Sequence, residues 1–186
     1  MDIVMVVAQR EFRDEELIDP SRALEAAGHT VVVASQVAGL CTGVHGSTVL
    51  ATLGLEEIRP GRFDGVVFVG GPGARSLFDD PAAHRLAVEA VQGNKLLGAI
   101  CLAPVILARA GVLTERRATV FSSEVEELVR HQAKPQRQGV VVDGKLVTAA
   151  GPSYAKEFGA SLVEVLGLEQ RGQPRPARPN SPERHH

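Results

Sequence analysis

The chain has 186 residues, 44% of them hydrophobic and 23% charged, with a formal net charge of −2. That length and composition suit one well-buried domain and exclude a disordered, collagen-like or two-domain chain. Before residue 169 no stretch gathers Lys and Arg with aromatics, so the electrostatic footprint of a nucleic-acid partner is missing.

In chain order, Asp2 to Ala8 reads as a fully buried strand, and Glu15 to Ala27 as a helix with Leu17, Ile18, Ala23, Leu24 and Ala27 facing a sheet. Gly28 is a C-cap, and Thr30 to Ala34 is the next strand, completing one βαβ unit. Around Cys41 to Ile58, Gly39, Gly43, Gly46 and Gly54 interrupt short β-prone pieces, which predicts an excursion or edge hairpin. Gly65 to Val69 is a third buried strand ending in Gly70-Gly71-Pro72-Gly73, and a helix follows across Pro81 to Val91. Leu96 to Ala108, the longest uncharged apolar stretch, is too short to span a bilayer and contains Pro104. With no basic start at Met1-Asp2-Ile3-Val4, no membrane partner and a cytoplasmic location are expected. Ala118 to Phe121 reads as a short strand, Glu124 to His131 as a short helix, and Val140 to Thr148 as a hairpin around Asp143-Gly144. A last helix is predicted from about Ser153 to Leu166. The domain is expected to span 1–168. Residues 169–186, rich in Pro and Arg and without apolar periodicity, read as a disordered tail.

Alternating strands and helices predict an α/β fold, a flavodoxin-like three-layer sandwich with a mainly parallel sheet and helices on both faces. Ligand chemistry in such folds gathers at the carboxyl ends of the strands, where Gly70-Gly71 and Cys101 both fall. A strand before Cys101 and a helical first turn at Pro104 put this thiol on a strand–turn–helix junction that resembles a nucleophile elbow. A helix start favours thiolate, whereas a cysteine that merely fills the end of a core strand is equally compatible with the segment. Only Cys41 and Cys101 are present, with no zinc-type spacing, so both thiols read as reduced and no metal is expected.

Four segments together resemble the ThiJ/PfpI superfamily, which includes the Parkinsonism-associated deglycase and the PfpI-type intracellular proteases: 12–20, 67–73, 98–104 and 148–152. The resemblance implies that Cys101 is the nucleophile and that Glu16, from the first helix, meets it as proton carrier. By the same resemblance Gly71 and Leu102 supply the amides of an oxyanion hole, with Gly70 and Pro104 shaping the supporting turns. From the residues alone, Glu16 also reads as a solvated charge in an acidic first turn with Asp14 and Glu15. The chain departs from the PfpI-type peptidases, which carry histidine where Leu102 stands, and it has no histidine near Phe121 either. His45 is the one loop histidine with any prospect of reaching the site, and a solvated turn is its plainer reading.

These matches imply a cysteine-dependent, cofactor-independent enzyme, glyoxalase- or deglycase-like, acting on small carbonyls or glycated compounds. The competing reading is a redox-responsive stress protein or holdase with an oxidisable Cys101, and PfpI-type peptidase activity ranks below both. A homodimer or higher homo-oligomer is the family default.

Overall fold

The computed structural model describes residues 1–59 and 61–172. Apolar runs without alternation mark strands covered on both faces, and the chain supplies them at β1 (Asp2–Val6), buried after its first residue. A short strand β2 (Arg10–Phe12) leads into helix α1 (Asp14–Ala26), and β3 (Thr30–Ser35) follows. The glycine-broken stretch forms β4 (Gly39–Gly43), β5 (Thr48–Ala51) and β6 (Leu53–Gly54). Then come β7 (Gly65–Phe68), α2 (Pro81–Gln92), β8 (Leu96–Ile100) and the short α3 (Pro104–Arg109). The remainder is β9 (Arg117–Ala118), α4 (Val125–Arg130), β10 (Lys134–Pro135), β11 (Val140–Asp143), β12 (Leu146–Ala149) and α5 (Ala155–Arg171).

Seven strands make the central sheet in the order β11-β12-β8-β7-β1-β3-β6, parallel except for the β11 edge. The fold is flavodoxin-like, as expected. From β1 the chain steps outward to β3 and β6, then returns to the other side of β1 through β7 and β8. Right-handed crossovers in opposite directions set α1 on one face and α2 with α3 on the other. On the α1 face α5 packs closely: Gly98 in β8 abuts Leu162 and Phe158, and Gly159 abuts Pro20 and Ala23 of α1. The reversal between β1 and β7 opens a crevice at the carboxyl ends of the strands.

Two expectations change. The strand foreseen over Ala118 to Phe121 shrinks to Arg117–Ala118, which pairs with Lys134–Pro135 in a separate two-stranded sheet. Phe121 is instead drawn to the elbow, its N–H donating to the Cys101 carbonyl at 2.8 Å. At the other end α5 runs on to Arg171, three residues past the expected domain boundary, with Lys145 and Glu169 paired at 3.1 Å. The rest of the expected tail, from residue 173, lies outside the described residues.

The glycine-rich excursion is an antiparallel hairpin of β4 and β5, with β2 on its other side. Asp14, at the start of α1 and almost fully buried, ties the hairpin loop to the helix: its carboxylate accepts from the N–H of His45 at 2.9 Å and of Ser47 at 3.0 Å. Burial opposes this charge, but the hydrogen bonds from His45 and Ser47 prevail and hold its pKa below the ordinary 3.8. A depressed carboxylate contributes stability above its unfolded value and loses it as pH falls through the folded one. Asp14→Ala is therefore expected to cost about 1–3 kcal/mol in urea unfolding at neutral pH, with the gap to wild type closing in acid below 3.8. An equal gap at both acidities would show that the charge is not what ties the hairpin.

Candidate active site

The thiol-bearing residue follows β8 directly and has φ of +64°, a left-handed conformation that a residue with a Cβ adopts at a cost of roughly 1–3 kcal/mol. Both of its backbone groups are pinned there. The Cys101 N–H donates to the Ala149 carbonyl at 2.9 Å, and its own carbonyl accepts from Phe121. Pro104 begins α3 as the expected first-turn residue, so the chain passes through one tight turn between sheet and helix. This is the strand–turn–helix elbow anticipated from the sequence.

The double glycine at the end of β7 backs onto that elbow. A Cβ at Gly70 would lie 2.5 Å from the Ile100 carbonyl oxygen, 2.7 Å from Cys101 Cβ and 3.1 Å from Glu16 Oε1. Only a residue without a side chain lets α1, β7 and the elbow meet here. Gly71 has φ of +104°, and backbone of Glu11, Phe12 and Arg13 fills the space a Cβ would need. The Arg13 N–H holds the Gly70 carbonyl at 3.0 Å and so fixes the Gly70–Gly71 peptide plane, whose other end, the Gly71 N–H, acts on the Cys101 sulphur as does that of Leu102.

Glu16 is fully buried, and neither carboxyl oxygen has a well-aligned hydrogen-bond partner among the described residues. Burial pushes its pKa up to about 8, against the nearby positive charge of Arg13 and a weak contribution from the Cys101 thiol. Glu16 is thus a neutral acid at neutral pH, not the solvated charge its acidic neighbours suggest.

The helix start points to thiolate at Cys101; the structure pushes the free thiol the other way, up to about 12. Burial is the largest cause and the Glu16 charge the second, opposed by the Gly71 and Leu102 amides and by Arg13. A helix of one and a half turns does little against desolvation of this kind. The two groups titrate as a pair. An ionised Glu16 repels thiolate, whereas a protonated one removes that repulsion and offers its O–H to sulphur. The pair reaches thiolate most easily while Glu16 keeps its proton.

A cleft of about 340 Å³ opens on the thiol, lined by Cys101, Leu102, Gly71, Phe121, Arg13 and Arg75 among others. The described histidines are engaged elsewhere. His45 faces Glu15 at 3.7 Å, while His84 and His131 bond the carbonyls of Phe78 and Glu127. Arg13 and Arg75 escaped the sequence reading, since nothing in a lone arginine signals that it will line a cleft.

Residues 1–165 match the DJ-1/PfpI family. The chain belongs to the DJ-1/PfpI family. Its relatives include a deglycase from Pyrococcus abyssi, 35% identical over 88% of this chain and 98% of that protein. A glutathione-independent glyoxalase from Caenorhabditis elegans is 25% identical over 88% of this chain and 87% of the relative. Among solved DJ-1/PfpI structures, a ThiJ/PfpI domain protein from Brachyspira murdochii superposes with a TM-score of 0.88 at 33% identity, covering 90% of this chain and 96% of that one.

If Glu16 titrates beside the sulphur, Glu16→Gln removes a charge that appears only above about 8. Alkylation of Cys101 by iodoacetamide, assigned by mass spectrometry to separate it from Cys41, is expected to run alike in both proteins at lower pH. Above that point the Gln variant should pull ahead. A rate ratio that stays flat with pH would separate Glu16 from the thiol.

Proposed function

We propose that this DJ-1/PfpI protein is a cysteine-dependent, cofactor-independent enzyme that acts on small reactive carbonyls or their adducts, in the manner of a glyoxalase or deglycase. The observation that carries the reading is the meeting of a strained elbow thiol with a buried, protonated carboxyl and two backbone N–H donors at the floor of a cleft. The deglycase and glyoxalase names of its relatives support it.

With methylglyoxal as substrate, the Cys101 sulphur attacks the aldehyde carbon and the thiol proton ends on the former carbonyl oxygen, giving a hemithioacetal. The developing oxyanion faces the Gly71 and Leu102 amides, which stabilise charge as it forms. The protonated Glu16 gives its proton to the C2 carbonyl oxygen and takes the C1 proton, leaving an enediol; it then delivers that proton to C2 while taking the proton of the C1 hydroxyl, and ends protonated as it began. The aldehyde carbon is oxidised and the ketone carbon reduced within the same molecule, leaving a lactoyl thioester. Water hydrolyses the thioester to lactate and frees the thiol. The sum is methylglyoxal plus water to lactic acid, with no external oxidant.

A redox-responsive role is favoured by one feature, the lack of any described histidine lining the cleft, since a thiol without a second base is poorly equipped for rapid turnover. Lactate production separates the two readings. Wild type is expected to convert methylglyoxal to lactate slowly, Cys101→Ser to fall to the buffer rate, and Glu16→Gln to lose about 10²–10⁴-fold. Lactate no faster than buffer, with ready conversion of Cys101 to sulfinate under peroxide, would replace the enzyme by the sensor.

A further inference from the structure

Two guanidinium groups, from different parts of the chain, line the same cleft as the thiol. Arg13 follows β2, and Arg75 lies in the short 3-10 helix Pro72–Leu77 that follows the double glycine. Each is held from behind by a carboxylate. Arg13 Nε donates to Glu15 at 2.8 Å, and Arg75 Nη2 donates to Glu124 at 3.0 Å. Neither Glu15 nor Glu124 lines the cleft. Among the described residues these are the only hydrogen bonds of the two guanidinium groups, so both Nη of Arg13, and Nε and Nη1 of Arg75, keep donors to offer. Phe78 lies under Arg75, its ring centroid 5.7 Å from the guanidinium carbon, and further restricts that side chain.

The nearest carboxyl on the sulphur side is Glu16, which is neutral at neutral pH. Around the thiol, then, the cleft wall carries positive charge whose counter-ions stand outside it. Guanidinium recognises carboxylate through paired, planar N–H donors. A cleft of 340 Å³ lies at the small end of ligand sites, about 300–1,000 Å³, which suits a free amino-acid adduct.

We propose that Arg13 and Arg75 form a carboxylate clamp that selects carbonyl compounds or glycated amino acids carrying a free carboxylate over their neutral counterparts. As a statement about substrates this rests on Cys101 being the attacking group of the proposed reaction. As a statement about the cleft it does not need turnover.

Two measurements keep these apart. The first compares alkylation of Cys101 by iodoacetate and iodoacetamide, which differ in charge but share their chemistry, with free glutathione as the reference thiol. Wild type is expected to show an iodoacetate-to-iodoacetamide rate ratio about fivefold above the reference, as fits partly exposed charges, and to lose that excess at high salt. Arg13→Gln with Arg75→Gln should return the ratio to the reference, and the paired Lys variants should retain part of it. A wild-type ratio equal to the reference, or one unchanged in the Gln variant, overturns the clamp. The second compares kcat/KM for the methylglyoxal hemithioacetals of N-acetylcysteine and of its amide. A preference for the acid that sits in KM and vanishes in the Gln variant supports the clamp as a substrate filter; equal values overturn that role. No turnover of either adduct or of methylglyoxal, with the alkylation ratio intact, defeats the proposed reaction and leaves the clamp standing.

Discussion

A buried carboxyl with no well-aligned hydrogen-bond partner among the described residues is the constraint around which the site is arranged. In a dry setting an ionised Glu16 would be severely penalised, so the group keeps its proton, and that proton in turn makes a neighbouring thiolate tolerable. The unfolded chain ionises such a carboxyl near 4.5 and the folded chain near 8. Stability contributed by the neutral form is complete below the lower value and drains away as pH rises through the higher one. The fold thus gives up stability as pH rises through the folded value to hold an acid in its protonated state.

The scaffold makes that trade possible by bringing three chain segments to one point. Helix α1 supplies Glu16, the end of β7 removes side chains through Gly70 and Gly71, and β8 delivers the thiol through a pinned left-handed turn. Pro20 adds a local detail. It has no N–H to return to the carbonyl of Glu16, four residues earlier, and it packs against Gly159 of α5 where the two helices approach closely. The acidic first turn is also less uniform than it looks. Asp14 anchors a hairpin, Glu15 steers Arg13, and Glu16 enters the site.

Local patterning disclosed most of the sheet. Continuous apolar runs revealed β1, β7 and β8, the Pro81 start marked α2, and Asp143-Gly144 marked the terminal hairpin. The elbow and double glycine were readable for the same reason, since each depends on residues adjacent in the chain. The errors concern tertiary contacts. Val120 and Phe121 are β-prone, yet the pairing partner Lys134–Pro135 reaches only Arg117–Ala118, leaving Phe121 to serve the elbow. For the Cys101 pKa the helix start, which favours thiolate, is visible in sequence, whereas the burial that outweighs it comes from distant segments. Glu16 is a candidate through the family resemblance alone, since Asp14 and Glu15 before it make it look like one more charge of an acidic first turn.

Arg13 divides its duties between backbone and side chain. Its peptide N–H fixes the Gly70 carbonyl and with it the geometry of the double glycine, a task any residue but proline performs. Its guanidinium faces the cleft on the other side. The backbone framework of the cleft is therefore independent of which side chain stands here. A substitution at this position leaves the double glycine in place, yet it removes a positive charge that favours the ionised forms of both Glu16 and Cys101, so what the cleft admits and how its acid and thiol titrate change together.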